Sequence, residues 1–307
     1  MNNIKYHLLA AATAAIWGTT LISSKILLQS GMSPAEILLC RLILAYLFLW
    51  ILYPKTHRPK SKRDELVFLL GGAFGGTIYF LAENTALVYS QATNVGLICA
   101  TVPIITALMS HFILKEKHLN GRFLAGSAVA LMGVLLVVLN GRFVLKLNPL
   151  GDFLACVSVL SWGLYCVCIK SLRHPYSSLF ITRKIFFYCI LTLLPHFVFY
   201  PFRFPLTQLL EVHVWSNLLY LGLIASSLCY LVWTMAIKNI GVVATNNYIY
   251  FMPIVTIVTA HIFIDERITL FVVFGGLLII GGLWWSTANL TMRKNKRKSS
   301  TTETEMM

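Results

Sequence analysis

Pro103-Ile-Ile-Thr-Ala-Leu-Met-Ser-His-Phe-Ile-Leu-Lys-Glu-Lys117 returns 150 positions later as Pro253-Ile-Val-Thr-Ile-Val-Thr-Ala-His-Ile-Phe-Ile-Asp-Glu-Arg267. Pro103/Pro253, Ile104/Ile254, Thr106/Thr256, His111/His261 and Glu116/Glu266 match without a gap. Two unrelated apolar helices of this length share about one identity by composition, so the stretch marks a repeat. In each copy an apolar run with a central proline ends in a charged cluster. This predicts one helical unit used twice.

The rest of the chain has the same apolar character. With 58% hydrophobic and 12% charged residues, a mean hydropathy of +0.76 is too high for a soluble core with a polar shell. Apolar segments of roughly 20 residues follow one another, each long enough to cross about 30 Å of hydrocarbon as a helix. Short alternating segments of the β-barrel kind do not occur. The expected fold class is all-α, a polytopic membrane protein. Ten transmembrane helices are expected, at about 6–28, 34–53, 66–88, 91–114, 122–140, 150–172, 178–201, 213–236, 242–264 and 268–290. Lys5 before an apolar run resembles a signal peptide, but the run continues to Leu28 and recurs elsewhere, as a retained span does.

The formal charge of +14 does not point to nucleic acid. The basic residues lie between or after the apolar spans, where they set orientation and meet anionic headgroups. Placing the N-terminus in the cytoplasm puts Lys5, the cluster from Lys55 to Arg63, Lys115, Lys117, Arg122, Lys170, Arg173, Lys238 and the tail Arg293-Lys-Asn-Lys-Arg-Lys298 on that side. The other side keeps Arg142, Lys146, Arg203 and Arg267. The positive-inside rule therefore places both termini in the cytoplasm. Seven cysteines fall within apolar spans without metal-ligand spacing and read as small buried side chains.

Five spans per half is an odd number, so the second copy enters the membrane upside down. Trp17-Gly18 with Lys25 is echoed by Trp162-Gly163 with Lys170, and Ser33-Pro34 before Arg41 has a looser echo in Ser177-Ser178 before Arg183. The division expected is 1–142 and 148–290 as two inverted five-helix repeats, with 291–307 a disordered basic tail. Inverted repeats are the architecture of many secondary transporters, with substrate bound near the midplane between the halves.

These residues resemble the EamA family of the drug/metabolite transporter superfamily. The likeness lies in Trp17-Gly18, the Ser33-Pro34 opening of the second span with its Arg41, the Pro103 to Lys117 span, and the same set in the second half. It covers roughly residues 6–290. The second half departs from the pattern at His174 to Lys184, where the Ser-Pro order is lost. The resemblance implies a ten-helix carrier of small metabolites, often moved outward, by alternating access.

A carboxylate inside a span costs roughly 2.5–3.5 kcal/mol on insertion scales, so Glu83 draws attention first. It is placed to bind a substrate ammonium or carry a proton; the alternative is a carboxylate reaching the outer interface or paired with Lys25. Tyr79 lies one turn earlier on its face, with Asn84 beside it. Asn94, Asn246 and Asn247 offer amides either to a polar ligand or to neighbouring helices. Trp17, Trp162, Tyr165, Tyr230, Trp233 and Tyr250 fall where an aromatic wall or ordinary packing would use them. Pro103 and Pro253 each remove a backbone donor in mid-helix and are candidate hinges. Lys25 and Arg41 can attract an anionic cargo or pair with Glu36 and Glu83. His111 and His261 should lie near span ends. Gly71-Gly72, Gly75-Gly76, Gly275-Gly276 and Gly281-Gly282 read as sites of close helix approach.

Transport of an amino acid or related compound, outward, is the expected function. Drugs, sugars or nucleotide precursors are the alternative cargo. A membrane-embedded enzyme would need a nucleophile or metal cluster at catalytic spacing, and a channel a filter sequence; neither pattern is present. No catalytic residue, cofactor or metal is expected. The expected partners are a small molecule and membrane lipid, with the chain a monomer or homodimer.

Overall fold

The computed structural model describes residues 4–55, 58–90, 92–116, 119–139, 148–264 and 269–286. In lipid an apolar segment can satisfy its backbone only within itself, and the segments fold accordingly as helices. α1 (Ile4–Gln29) and α2 (Pro34–Leu52) open the chain. Ser33 caps α2: its hydroxyl accepts the Glu36 N–H, and the Glu36 carboxylate accepts the Ser33 N–H at 2.7 Å. The looser echo at Ser177 is also a cap, accepting the Phe180 N–H.

α3 (Lys62–Gly72) continues through a π-helical turn, Ala73–Ile78, into α4 (Tyr79–Tyr89). Next come α5 (Ala92–Cys99), α6 (Val102–Leu114) and α7 (Gly121–Leu139). The second half holds α8 (Pro149–Ser171) and α9 (Ser178–Phe199). Then α10 (Val212–Leu219) passes through a second π segment, Tyr220–Leu228, into α11 (Cys229–Ile240). α12 (Val242–Asn246), a 3-10 turn (Asn247–Phe251), α13 (Met252–Ile264) and α14 (Leu270–Ser286) follow. Among the described residues eight helical stretches are long and apolar enough to cross a membrane, and α14 is apolar but shorter.

Two details differ from the sequence expectation. Pro103 and Pro253 do not sit inside continuous helices. Pro103 is in the first turn of α6 after a break at Ala100–Thr101, and Pro253 is the second residue of α13 after the 3-10 turn. At such positions the missing N–H has no intrahelical partner to lose. The third span also begins earlier, at Lys62, because Ser61 caps it by accepting the Asp64 N–H. Arg142, Lys146, Arg267, Lys117, the tail 291–307 and the side chain of Lys25 lie outside the described residues.

The halves interleave. α1 packs on α10, α11 and α13, while α3 and α4 pack on α8. α7 and α14 meet through glycines in reciprocal pairs. A Cβ on Gly126 would lie 2.7 Å from the Gly282 carbonyl oxygen, and one on Gly282 would lie 2.5 Å from that of Gly126. Gly133 and Gly275 repeat the arrangement at 2.5 and 2.6 Å. Since the numbers rise on one helix as they fall on the other, the two run antiparallel. Gly281, expected to serve the same purpose, faces open space.

Candidate functional site

The two π segments occupy matching places: Gly75, Gly76 and Thr77 of the first lie 150 residues before Ala225, Ser226 and Ser227 of the second. A π turn releases carbonyls from the regular ladder, and in lipid these need other donors. Side chains of the opposite half supply them. Trp17 Nε1 donates to the Ala225 carbonyl at 2.9 Å and the Tyr230 hydroxyl to the Gly75 carbonyl at 3.1 Å. The Ser161 hydroxyl donates to the Phe74 carbonyl at 2.8 Å.

These bonds hold the rings in one cluster. Trp17 meets Trp233 at 4.8 Å between ring centres, Trp162 at 5.4 Å and Tyr230 at 5.6 Å. Trp162 extends the cluster to Tyr165 at 5.1 Å and Tyr79 at 5.2 Å. Six residues chosen from the sequence thus come together from α1, α4, α8 and α11. Their parts differ. Tyr165 and Trp233 are fully buried. The Tyr165 ring occupies the space left by Gly75, where a Cβ would lie 2.2 Å from it; its hydroxyl approaches Thr234 without closing a hydrogen bond. Tyr79 is half-buried, and its side carries the charge.

Glu83, half-buried, accepts the Tyr79 hydroxyl at 2.8 Å. The Cys99 thiol lies 3.9 Å from the same oxygen. Arg41, buried on α2, donates from Nε to Ser226 at 2.8 Å and lies 4.6 Å over the Phe80 ring. The guanidinium over Phe80 thus sits about one helical turn from Glu83 on α4.

Other residues of the sequence reading are engaged elsewhere. Asn246 accepts Trp162 Nε1 at 2.8 Å and donates to the Val242 carbonyl, so it positions the ring. Asn84 donates to the Phe80 carbonyl of its own helix. Asn247 bonds Ser286 at 3.1 Å, tying the 3-10 turn to α14. Tyr250 packs with Ala130, Val134, Val137 and Ile279 rather than with the aromatic cluster, because the 3-10 turn rotates it toward α7. The side chain of Asn94 lies outside the described residues. Glu36, expected to meet Arg41 or Lys25, is taken up by its cap and by the Arg203 and Phe204 N–H groups at 2.6 and 3.0 Å. His111 and His261 occupy the last turns of α6 and α13. All seven cysteines are free thiols.

A second polar cluster escaped the sequence reading. Asp64, fully buried at the start of α3, accepts the Tyr176 hydroxyl at 2.9 Å and the Arg173 N–H at 3.2 Å, with His174 Nδ1 at 2.5 Å. Burial pushes the Tyr176 phenol above its ordinary range. Lys60 N–H donates to the same hydroxyl, and Lys238 donates to the Tyr176 carbonyl. The cluster fastens the α8–α9 connection to α3 and α11. Arg183 acts beside it, donating to the carbonyls of Tyr53 and Lys55 and lying 4.2 Å over Trp50. Its signal in the sequence, the polar run His174-Pro-Tyr-Ser, is that of any loop.

Interleaved apolar helices around a charged and aromatic centre are the build of an integral membrane protein. The chain matches the EamA-like transporter family twice, over residues 4–139 and 149–288, and belongs to it. An uncharacterized transporter from Archaeoglobus fulgidus is 28% identical over 290 residues, covering 93% of this chain and 98% of the relative. A probable terminal-alkyne amino-acid exporter from Streptantibioticus cattleyicolor is 26% identical over 228 residues, 74% of each chain. A crystal structure with 19% identity superposes with a TM-score of 0.73, covering 94% of this chain and 99% of the other, and shares its fold.

Proposed function

We propose that the chain is a carrier that exports an amino acid or related compound by alternating access, and is not an enzyme or channel. The observation that carries this reading is the Tyr79–Glu83 pair set against an aromatic cluster drawn from both halves. A carboxylate held within a span at that cost serves either a cargo ammonium or a transported proton. Trp17, Trp162 and Tyr230 form the apolar wall beside it. The exporter among the relatives supports both the cargo and the direction.

The architecture proposed is ten spans as two inverted five-helix repeats, 1–142 and 148–290, with 291–307 a cytoplasmic tail. Support for that number comes from the eight long helices, with the broken Val242–Ile264 stretch and α14 read as two further crossings. The antiparallel α7–α14 pair supports the inversion. Loop charge supports both termini in the cytoplasm, with the protein in the cell membrane as a monomer or homodimer. The breaks before Pro103 and Pro253 are the proposed hinges.

The test is flux in proteoliposomes. Glu83→Gln should insert and fold but lose most transport; unchanged flux across pH removes Glu83 from the mechanism. Saturation and counterflow separate a carrier from a channel, and an unaltered product separates it from an enzyme. A single cysteine at Glu211 should label from outside the cell; labelling from the cytoplasm overturns the orientation.

A further inference from the structure

We infer that Arg41 is the receptor for a carboxylate on the cargo, opposite Glu83, so that the transported molecule is a zwitterion held by both poles. The inference rests on the site proposed above and adds a residue to it. Arg41 lies seven residues beyond Pro34 on α2, about 10 Å along the helix, deep enough that a bare guanidinium is costly.

The two arginines that open the second spans of the halves show what a structural arginine looks like here. Arg183 spends both terminal nitrogens on the Tyr53 and Lys55 carbonyls near the end of its helix, a fork filled by backbone. Arg41 is held differently. Only Nε is committed, to Ser226, and among the described residues no hydrogen bond from its terminal nitrogens is seen. Phe80 supports the guanidinium at 4.6 Å without taking a donor. The Ser226 bond thus fixes the plane of the group and leaves the part of the fork that grips a carboxylate. The groups in electrostatic reach include Tyr230, Glu83, Tyr79, Cys189 and Cys229, and among these Glu83 alone is a carboxylate.

The pairing sets specificity by exclusion. A free carboxylic acid would satisfy Arg41 but stand against Glu83, and a simple amine would satisfy Glu83 but stand against Arg41. A molecule with both groups on one carbon satisfies each pole and replaces the attraction the two already share. The ammonium would also face the Tyr79 and Trp162 rings, which favour a cation. Trp17 and Tyr230, both buried here, would meet the cargo's side chain once the site opens.

The test is binding to purified protein, read by thermal shift and by displacement of a radiolabelled amino acid. The probes are the standard L-amino acids and, for each that binds, the amine lacking its carboxylate and the acid lacking its ammonium. The wild type should bind the amino acid and neither analogue. Arg41→Gln should weaken the amino acid by about tenfold or more and leave the amine as good as or better than before. Arg41→Lys should retain part of the affinity, and Ser226→Ala should fall between. Equal loss of amino acid and amine in Arg41→Gln would show a structural role and overturn the assignment. So would wild-type binding of the amine or the acid alone as strongly as the amino acid, which would leave amino-acid carriage standing. Binding of no amino acid overturns the cargo reading along with this one. Should Arg41→Gln fail to fold, analogue selectivity in the wild type and in Ser226→Ala decides.

Discussion

The two π segments are the same backbone device carrying different side chains. In the first half, Gly75, Gly76, Phe80 and Glu83 stand where the second half has Ala225, Ser226, Tyr230 and Trp233. The first segment is bare, and α8 and α9 press into it: Tyr165 fills the space at Gly75 and Cys189 that at Gly76. The second carries Ser226, which holds Arg41. After duplication the backbone bend was kept in both halves, while packing went to one copy and cation-holding to the other. The charges divided as well, since Glu83 has a tryptophan as its counterpart. A pseudo-symmetric shell can therefore hold an asymmetric centre, which an asymmetric cargo requires.

Exchanging the paired residues tests the difference most severely. A Cβ at Gly76 would lie 1.8 Å from Cys189 Sγ and 2.9 Å from its Cβ. Gly76→Ser, which copies the second half into the first, should destabilise the protein by about 3 kcal/mol, the upper end of ordinary overpacking. Cys189→Ala in the same chain should recover part of that loss. The reciprocal Ser226→Gly meets no clash and removes one hydrogen bond to a charged group, a cost of about 1.5 kcal/mol. Unfolding followed in detergent for both variants checks the order; equal losses would mean that the bare segment is not a packing requirement.

A smaller effect tests the bonds that cross between halves. Tyr230→Phe keeps the ring against Trp17 and Trp162 and removes only the hydroxyl that serves the Gly75 carbonyl. The expected cost is about 1 kcal/mol. Hydrogen exchange should quicken around Ala73–Ile78 more than around Tyr220–Leu228, whose Ala225 carbonyl keeps its Trp17 donor. Uniform exchange would show that the hydroxyl does not hold the first segment.

How much of this was visible in the chain follows from physical scale. Helices in lipid are fixed by runs of apolar residues, so segments such as Pro149–Ser171 agree with the sequence to within a residue or so. The aromatic cluster was legible because Trp17 and Trp162 sit mid-span in repeated positions, away from the interfaces that usually explain such rings. The π turns were not legible, because an apolar Gly-rich run has the same composition whether its ladder closes at four residues or five. Nor were the partners of the ninth-span residues: Asn246 and Tyr250 have equal claims in the sequence, and only the short 3-10 turn sends one to Trp162 and the other to α7. The partners of Asp64 and Glu36 escaped because Tyr176, His174 and the Arg203 and Phe204 N–H groups lie far away in sequence.

The smallest difference lies at the matched threonines of the opening repeat. Thr256 donates to the Gly18 carbonyl at 2.9 Å, joining α13 to α1 across the halves. Its counterpart Thr106 is fully buried against Gly163, the counterpart of Gly18, yet among the described residues its hydroxyl has no hydrogen-bond partner. Valine matches threonine in shape, so substitution isolates the hydroxyl. Thr256→Val should cost about 0.6 kcal/mol, the average for such bonds between membrane helices. Thr106→Val removes a buried hydroxyl that forms no hydrogen bond among the described residues, so it should be neutral or slightly stabilising. Thermal unfolding of the two single variants and the double variant measures this. If both lose equally, α6 and α13 are held alike, and the asymmetry of the centre does not reach them.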